Sequence, residues 1–456
     1  MTVETSSFRD NAGFVFWEDG RLYRQINEPY RRTWEALLAS GLLEDLQADG
    51  QLISHSVESA HGVPDVVGRL LPEQIPLITY PYEWCFSQLK DAALLTLEIQ
   101  KRALARGFSL KDASAYNVQF LRAKPVFIDT LSFEEYEEGK AWVGYRQFCR
   151  HFLAPLALIA KVHPDFGRMA AAHIDGLPLD LASQALPAVT KFNSGLAIHL
   201  HLHSRAESRP GEGSAKSAHV SKTGLLGLID SLERTVQGLD WKPEGTVWAD
   251  YYQATNYSDS AMASKAKIVR RFLSETIQSE DSVWDLGANT GMFSAIAAEL
   301  GARVASWDID PAAVERHYRT VRSQEHANVL PLVQDLTQPS PGIGWANEER
   351  RSFAERSDAV AVMALALIHH LAIGSNIPLS RVAEFFARLA PTAIVEFVPK
   401  SDSQVMRLLA SRDDIFDDYS EEGFLNAFGQ HFEVRASERV SESDRTIYLL
   451  DRKGGR

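Results

Sequence analysis

The segment Asp285-Leu286-Gly287-Ala288-Asn289-Thr290-Gly291 decides the fold class. It joins a short apolar run, SVWDL at 282–286, to a helical run, MFSAIAAEL at 292–300. Gly287 and Gly291 carry no Cβ, so the backbone can turn sharply there and lie close to a ligand. The helix that follows presents free N–H groups at its first turn, and Gly301 is placed to end it.

Outward from this turn, strand and helix signals alternate. ARVASWD (302–308) reads as a second strand ending on Asp308, 23 residues after Asp285. A carboxylate at that place can accept hydrogen bonds from both hydroxyls of a ribose. Asp310 precedes Pro311, so it is read as the N-cap of the helix PAAVERHYRTVRSQ. NVLPLV (328–333), DAVAVMALAL (358–367) and TAIVEFV (392–398) read as further strands, with the helix RVAEFFARLA (381–390) between the last two. This succession predicts an α/β fold, a doubly wound parallel sheet with helices on both faces. HFEVRASERV (431–440) and RTIYLLD (445–451), separated by SESD, predict a C-terminal antiparallel hairpin.

The turn is not the dinucleotide pattern G-x-G-x-x-G. Ala288 and Asn289 follow Gly287, and the negative charge of Asp285 disfavours a pyrophosphate and favours a cationic ligand. Here the sequence resembles the class I S-adenosylmethionine-dependent methyltransferases over roughly residues 248–452. The resemblance implies a Rossmann-like sheet and S-adenosyl-L-methionine as cofactor. It places Asp285, Gly287, Asn289 and Gly291 in the first motif and Asp308 on the ribose. Asp335, in VQDL (333–336), would meet the adenine amine. Upstream, WADYYQATNYSDS (248–260) suits a lid with Tyr257 touching the amino-acid end of the cofactor, or aromatic packing against the sheet.

Methyl transfer from a sulfonium is an in-line displacement, so the acceptor must be held close and aligned, and often deprotonated. Groups that do this are expected after the fourth strand, at the carboxyl edge of the sheet. The sequence there is ALALIHHLAI, with His369 and His370 as candidate catalytic residues. The Asn/Asp-Pro-Pro-aromatic motif of the family's amino-adenine and glutamine-amide branches is absent, and the paired histidines resemble the small-molecule branch. A histidine can serve as general base on a hydroxyl; the alternative is that it caps the next helix or lines the pocket. Glu396, at the end of the fifth strand, is a further catalytic candidate. The expected reaction is methylation of a small molecule at oxygen.

The N-terminal half predicts an α+β domain. GFVFWEDGRLYRQI (13–26) reads as a hairpin turning at Asp19-Gly20, PYRRTWEALLASGLLEDL (29–46) as a helix, and IPLITYPYEW (75–84) as a strand. In KDASAYNVQFLRAKPVFIDTLSF (111–133) the spacing of Asp112, Asn117 and Asp129 resembles the catalytic and metal loops of protein-kinase-like and aminoglycoside-phosphotransferase-like enzymes. That resemblance implies an acceptor-orienting Asp112 and a magnesium pair, Asn117 and Asp129. The departures are Leu110 where the family carries His, Thr-Leu-Ser after Asp129, no Gly-rich phosphate loop, and no strand lysine, for which Arg24 is the substitute. Two alternative functions follow: a bifunctional phosphotransferase and methyltransferase, or a cofactor-binding scaffold whose pseudokinase-like N-terminal domain recruits a protein partner.

Composition bounds the remaining choices. The 456 residues are 45% hydrophobic and 23% charged, with a net charge of −13, which gives no general attraction to nucleic acid. Cys85 and Cys149 form no C-x-x-C, and no metal site is expected. HLHLH (199–203) would align its three histidines only on a strand, and its neighbours suggest a helix. The longest apolar run, 152–160, is too short to span a bilayer, and the N-terminus lacks a signal-like pattern, so a cytoplasmic location away from membranes is expected. The Ser-, Gly- and charge-rich stretch 204–224 reads as a linker between domains at 1–203 and 225–456, with 225–239 as an amphipathic helix opening the second.

Overall fold

The computed structural model describes residues 1–58, 65–207, 219–244, 258–324, 328–410 and 412–454. It divides into two compact units, Met1–Trp241 with Gly342–Arg351, and Lys242–Pro341 with Ser352–Arg456. Among the described residues no helix is long and apolar enough to cross a membrane.

The first unit opens with a five-stranded antiparallel sheet in which the expected hairpin, Gly13–Glu18 and Arg21–Asn27, pairs onward to Val66–Pro72 and His55–Glu58. The helix expected over 29–46 is two helices, Arg31–Ser40 and Leu42–Ala48, because Gly41 between them takes φ 69°. The strand expected over 75–84 does not form. Pro76 and Pro81 remove two ladder donors, and Pro81–Glu83 makes a single tight turn whose Glu83 accepts the N–H of Tyr80 at 3.0 Å. The helix Phe86–Ala105 buries Leu89, Ala93, Leu97 and Leu104. It is followed by the paired strands Val118–Leu121 and Lys124–Phe127.

The expected linker and second-domain helix lie differently. Lys222–Gln237 is helical and belongs to the first unit, burying Leu225, Ile229, Leu232 and Val236. Lys101 of the long helix pairs with Asp230 on it at 2.7 Å. Most of the linker stretch, 208–218, lies outside the described residues. The histidines of HLHLH sit on helical backbone: His199 bridges Tyr145 and Ser231, each at 2.9 Å, and His201 bridges Ser183 and Thr190, each at 2.8 Å. Among the described residues no metal-binding group of side chains occurs.

The segment Gly342–Arg351 returns to the first unit from within the second half of the chain. A bridge between Ile343 and Arg350 folds it back on itself. Arg9 grips Glu349 through two hydrogen bonds of 2.6 and 2.8 Å, and the Arg350 guanidinium stands 4.4 Å from the centre of the Tyr116 ring.

The second unit is built on seven strands: β1 (Ser282–Leu286), β2 (Arg303–Asp308), β3 (Val329–Val333), β4 (Ala361–Ala364), β5 (Thr392–Phe397), β6 (Phe432–Arg439) and β7 (Thr446–Arg452). Their order is β3-β2-β1-β4-β5-β7-β6. The first five are parallel, and β7 runs antiparallel between β5 and β6. Every residue of β1 and β5 is buried, as a sheet covered on both faces requires. The helices are α1 (Asp259–Ser274), α2 (Met292–Glu299), α3 (Pro311–Gln324), α4 (Leu379–Leu389), α5 (Ser403–Leu409) and α6 (Glu421–Phe428). Trp284, Trp307 and Phe353 pack with ring centres 4.9–5.1 Å apart in the core. The fourth strand is shorter than the apolar run 358–367, because the chain leaves the sheet after Ala364 and Ala366 takes φ 52°.

Candidate active site

A cavity of about 330 Å³ opens where the strand order reverses, between β1 and β4, at the carboxyl ends of the parallel strands. Open α/β sheets bind ligands at this place. The turn after β1 forms its floor. Gly291 has φ 84°, and a Cβ there would stand 1.9 Å from Nε2 of His317 on α3, so both backbone conformation and space demand glycine. Asn289 also takes a left-handed conformation, φ 51°, with its side chain accepting the N–H of Thr290 at 2.9 Å.

Asp308 is fixed from two sides: the N–H of Asn289 donates to Oδ2 at 2.7 Å and that of Asp310 to Oδ1 at 2.9 Å. Asp310 caps α3 as expected, accepting the N–H of Ala312 at 2.8 Å. Asp285 accepts a hydrogen bond from Ser294 at 2.6 Å, and Ser306 supports Ser294 at 2.8 Å. Burial pushes both carboxyls up to about 6, and for Asp285 the charge of Asp308 adds to the effect. Asp335 lines the cavity after β3 and accepts from the N–H and hydroxyl of Thr337 at 2.9 and 2.6 Å. Gly287 lines it too.

The opposite wall follows β4. His370 lines the cavity at the start of a wide helical turn, His370–Gly374, and burial, with Arg445 nearby, pushes its imidazole down to about 4. His369 is buried behind it, ring centres 4.1 Å apart, and does not reach the cavity. Burial also lowers its pKa well below the usual range. Leu365, Leu367, Leu371, Met262 and Leu408 make this side apolar.

Glu396 is placed differently from a general base open to substrate. It is fully buried, accepts from Lys265 Nζ at 2.7 Å, lies 3.8 Å from Arg445, and does not line the cavity. Its two cationic neighbours hold the carboxylate in place behind the wall. Tyr257 and the aromatic stretch around it lie outside the described residues. Sequence reasoning missed Lys265 and Gln334, which both line the cavity. Lys265 had a readable signal: it occupies the apolar face of α1, four residues after the buried Ala261 and before Val269 and Phe272.

The sheet order, its antiparallel seventh strand and the glycine turn flanked by strand-end acids define a class I S-adenosylmethionine-dependent methyltransferase fold. No family model matches the chain. It is 36% identical to nodulation protein NoeA of Rhizobium meliloti (strain 1021), over 98% of this chain and 95% of that protein. The chain belongs to the NoeA family. It is also 38% identical to a ribosomal protein L11 methyltransferase of Bacillus cereus (strain AH820), in an alignment of 160 residues covering 26% of this chain and 51% of that one. Among solved structures, magnesium protoporphyrin IX methyltransferase of Synechocystis PCC 6803 with bound SAH is 17% identical over 46% of this chain and 90% of that one, with a TM-score of 0.31.

Proposed function

We propose that the second unit binds S-adenosyl-L-methionine and methylates a small molecule at oxygen. The observation that supports this best is one cavity whose walls carry Asp285, Asp308, Asp335 and the glycine cradle on one side and a neutral histidine on the other. The residues fit the cofactor: Gly287 lines the cavity with φ 75° and a Cβ there would stand 3.1 Å from Leu367 on the facing wall, and the acids match an ammonium, a ribose diol and an adenine amine. When bound, the cofactor supplies a methyl group activated by its sulfonium.

The chain's own residues do the rest. Asp308, already oriented by two backbone N–H groups, keeps lone pairs for the ribose hydroxyls. Asp285 faces the cationic end and Asp335 the adenine. The apolar wall from Leu365 to Leu371 keeps water from the methyl group. His370, unprotonated at neutral pH, accepts the acceptor's hydroxyl proton as the new C–O bond forms. Cys85 and Cys149, both buried and outside any disulfide, suit a cytoplasmic location.

Calorimetric titration with S-adenosylhomocysteine, followed by transfer of labelled methyl into cell-extract small molecules, tests the reading. Binding that weakens in Asp308→Ala supports it. An intact chain that does not bind, or an Asp308→Ala variant equal to the parent, sinks it. Cofactor binding without any methylated acceptor would favour the scaffold reading.

One observation favours adding a phosphotransferase to this reading. Asp112 and Asn117 are hydrogen-bonded, Asn117 donates to Ser132 at 3.3 Å, and Asp129 pairs with both Ser132 and Arg24. The four sequence-selected residues thus form one cluster. Magnesium-dependent stabilisation by ATP that disappears in Asp129→Ala supports this activity, and an unchanged melting temperature with magnesium and ATP rejects it.

A further inference from the structure

In the first unit two arginines and a histidine gather around the Tyr116 ring. The Arg350 guanidinium lies 4.4 Å from the ring centre, and His151 meets the ring edge-on with centres 6.0 Å apart. Arg150 and His151 share the wide helical turn Cys149–Leu153, a backbone form frequent at functional sites. Gln147, three residues before Arg150, accepts the N–H of Ala113 at 2.7 Å, which ties this turn to the loop that carries Tyr116. Burial, with the charges of Arg150 and Arg350 added, pushes the His151 imidazole down to about 3. At neutral pH the histidine is therefore uncharged, and the two guanidiniums carry the positive charge of the group.

These charges are poorly answered from within. Arg150 donates to the carbonyl of Gly176 at 3.2 Å, and among the described residues no carboxylate pairs with it. Its Nε is buried without a hydrogen-bond partner, and so is that of Arg350. Arg350 donates to the backbone carbonyl of Glu349 at 2.9 Å. The Glu349 carboxylate, 3.8 Å away, is already held by Arg9 through two hydrogen bonds. Glu83, which also acts on Tyr116, accepts the N–H of Tyr80 at 3.0 Å. Cations set beside a buried imidazole without an anion of their own lose hydration and repel one another. The backbone enforces the arrangement all the same: Gly176 has φ 85°, and a Cβ there would stand 2.7 Å from Cβ of Arg150. The outer edges of both guanidiniums stay within reach of solvent, for the Arg350 side chain is 17% exposed and Arg150 is half-buried.

We propose that Arg150 and Arg350 form a binding site for a phosphate group, either the free ion or the phosphate end of a small molecule. Guanidiniums recognise phosphate through paired, coplanar donors. A phosphate ester carries about −1.5 to −2 charges at pH 7, which answers two guanidiniums, whereas a carboxylate answers one. The Tyr116 ring fixes the plane of Arg350, and the carbonyl of Gly176 holds Arg150 beside it. The site needs neither S-adenosylmethionine nor ATP, so it stands or falls apart from both activities proposed above.

The test is calorimetric titration of the full chain with inorganic phosphate, methyl phosphate and acetate at matched ionic strength. Phosphate binds and acetate binds more weakly. Methyl phosphate binding alongside inorganic phosphate marks the site as one for a phosphate ester, and inorganic phosphate binding alone marks it as one for the free ion. Arg150→Gln weakens phosphate about 10- to 100-fold, the usual range for a hydrogen bond to a charged group. Arg350→Lys keeps the charge but loses the planar fork, and weakens it less. A bound anion also draws the His151 imidazole upward, which shifts its ring resonances in histidine-labelled protein. Phosphate held equally by the parent and Arg150→Gln, phosphate bound with no change at His151, or acetate bound as tightly as phosphate overturns the proposal. So does a parent chain that binds no phosphate at millimolar concentration, which decides the matter even if neither variant folds.

Discussion

Both units gather acidic side chains beside strand ends, and they use them in opposite ways. In the first unit Asp129 is committed to Arg24 and Ser132, and Asp112 to the N–H of Ser114 and the side chains of Asn117 and Gln147. These acids hold their own loop together. In the second unit Asp285, Asp308 and Asp335 are oriented by neighbours and still line a cavity. Motif spacing is satisfied in both cases. What separates them is what the oxygens touch: an arginine and neighbouring polar groups in the first unit, and the wall of a described cavity in the second.

The sharpest way to break this contrast is to displace the turn that forms the cavity floor. Gly291→Ala puts a methyl group against His317 in a left-handed backbone position and so shifts the turn that carries Gly287, Ala288 and Asn289, and titration with S-adenosylhomocysteine is expected to show no binding up to millimolar ligand. Next in size is the histidine facing the acids. His370→Ala should lower methyl transfer by about 10²- to 10⁴-fold, the usual contribution of a general base, with cofactor affinity little changed. A kinetic comparison at saturating cofactor checks both parts. Asp308→Ala removes oxygens that are already oriented and should weaken S-adenosylhomocysteine by about 10- to 100-fold.

A smaller, graded effect separates the two signs of pH dependence. Asp285 and Asp308 titrate near 6 in the folded chain, above the ordinary aspartate value of 3.8. The charged forms bind the ligand, so affinity should be full above about pH 6 and fall as the pH drops through it. Their contribution to the unliganded fold runs the other way. The folded state holds these protons more tightly than the unfolded state, so that contribution is fully present below pH 3.8 and is lost as pH rises through about 6. Melting curves of the parent against Asp308→Asn, across pH 4 to 7.5, should show the parent losing relative stability with rising pH. The smallest expected change tests the other side of the contrast. Asp129→Ala leaves Arg24 without its partner and lowers the melting temperature, yet S-adenosylhomocysteine affinity should stay within about twofold of the parent.

The carboxyl edge of the second sheet was legible in the sequence because the information there is local. A strand, a glycine turn and a helix lie within 282–299, and the role of Asp310 follows from the proline beside it. The boundaries that failed were those where apolar content and backbone geometry disagree: prolines prevent a strand at 75–84, and the run 358–367 leaves the sheet at Ala364. The place of Glu396 was not readable, since its partners Lys265 and Arg445 come from distant positions on α1 and just before β7. The helix Lys222–Gln237 carried a correct apolar stripe, but amphipathicity does not say which core the stripe covers.

The return of Gly342–Arg351 to the first unit bears on how this gene can be cut. A fragment ending at Trp241 would lack Glu349, against which Arg9 is clamped, and the guanidinium over Tyr116. The complementary fragment would carry those ten residues with nothing of their own unit to fold on. The polypeptide passes between its units at three points, so neither unit is one continuous stretch of the chain. A single cut anywhere in the chain therefore cannot yield both units intact.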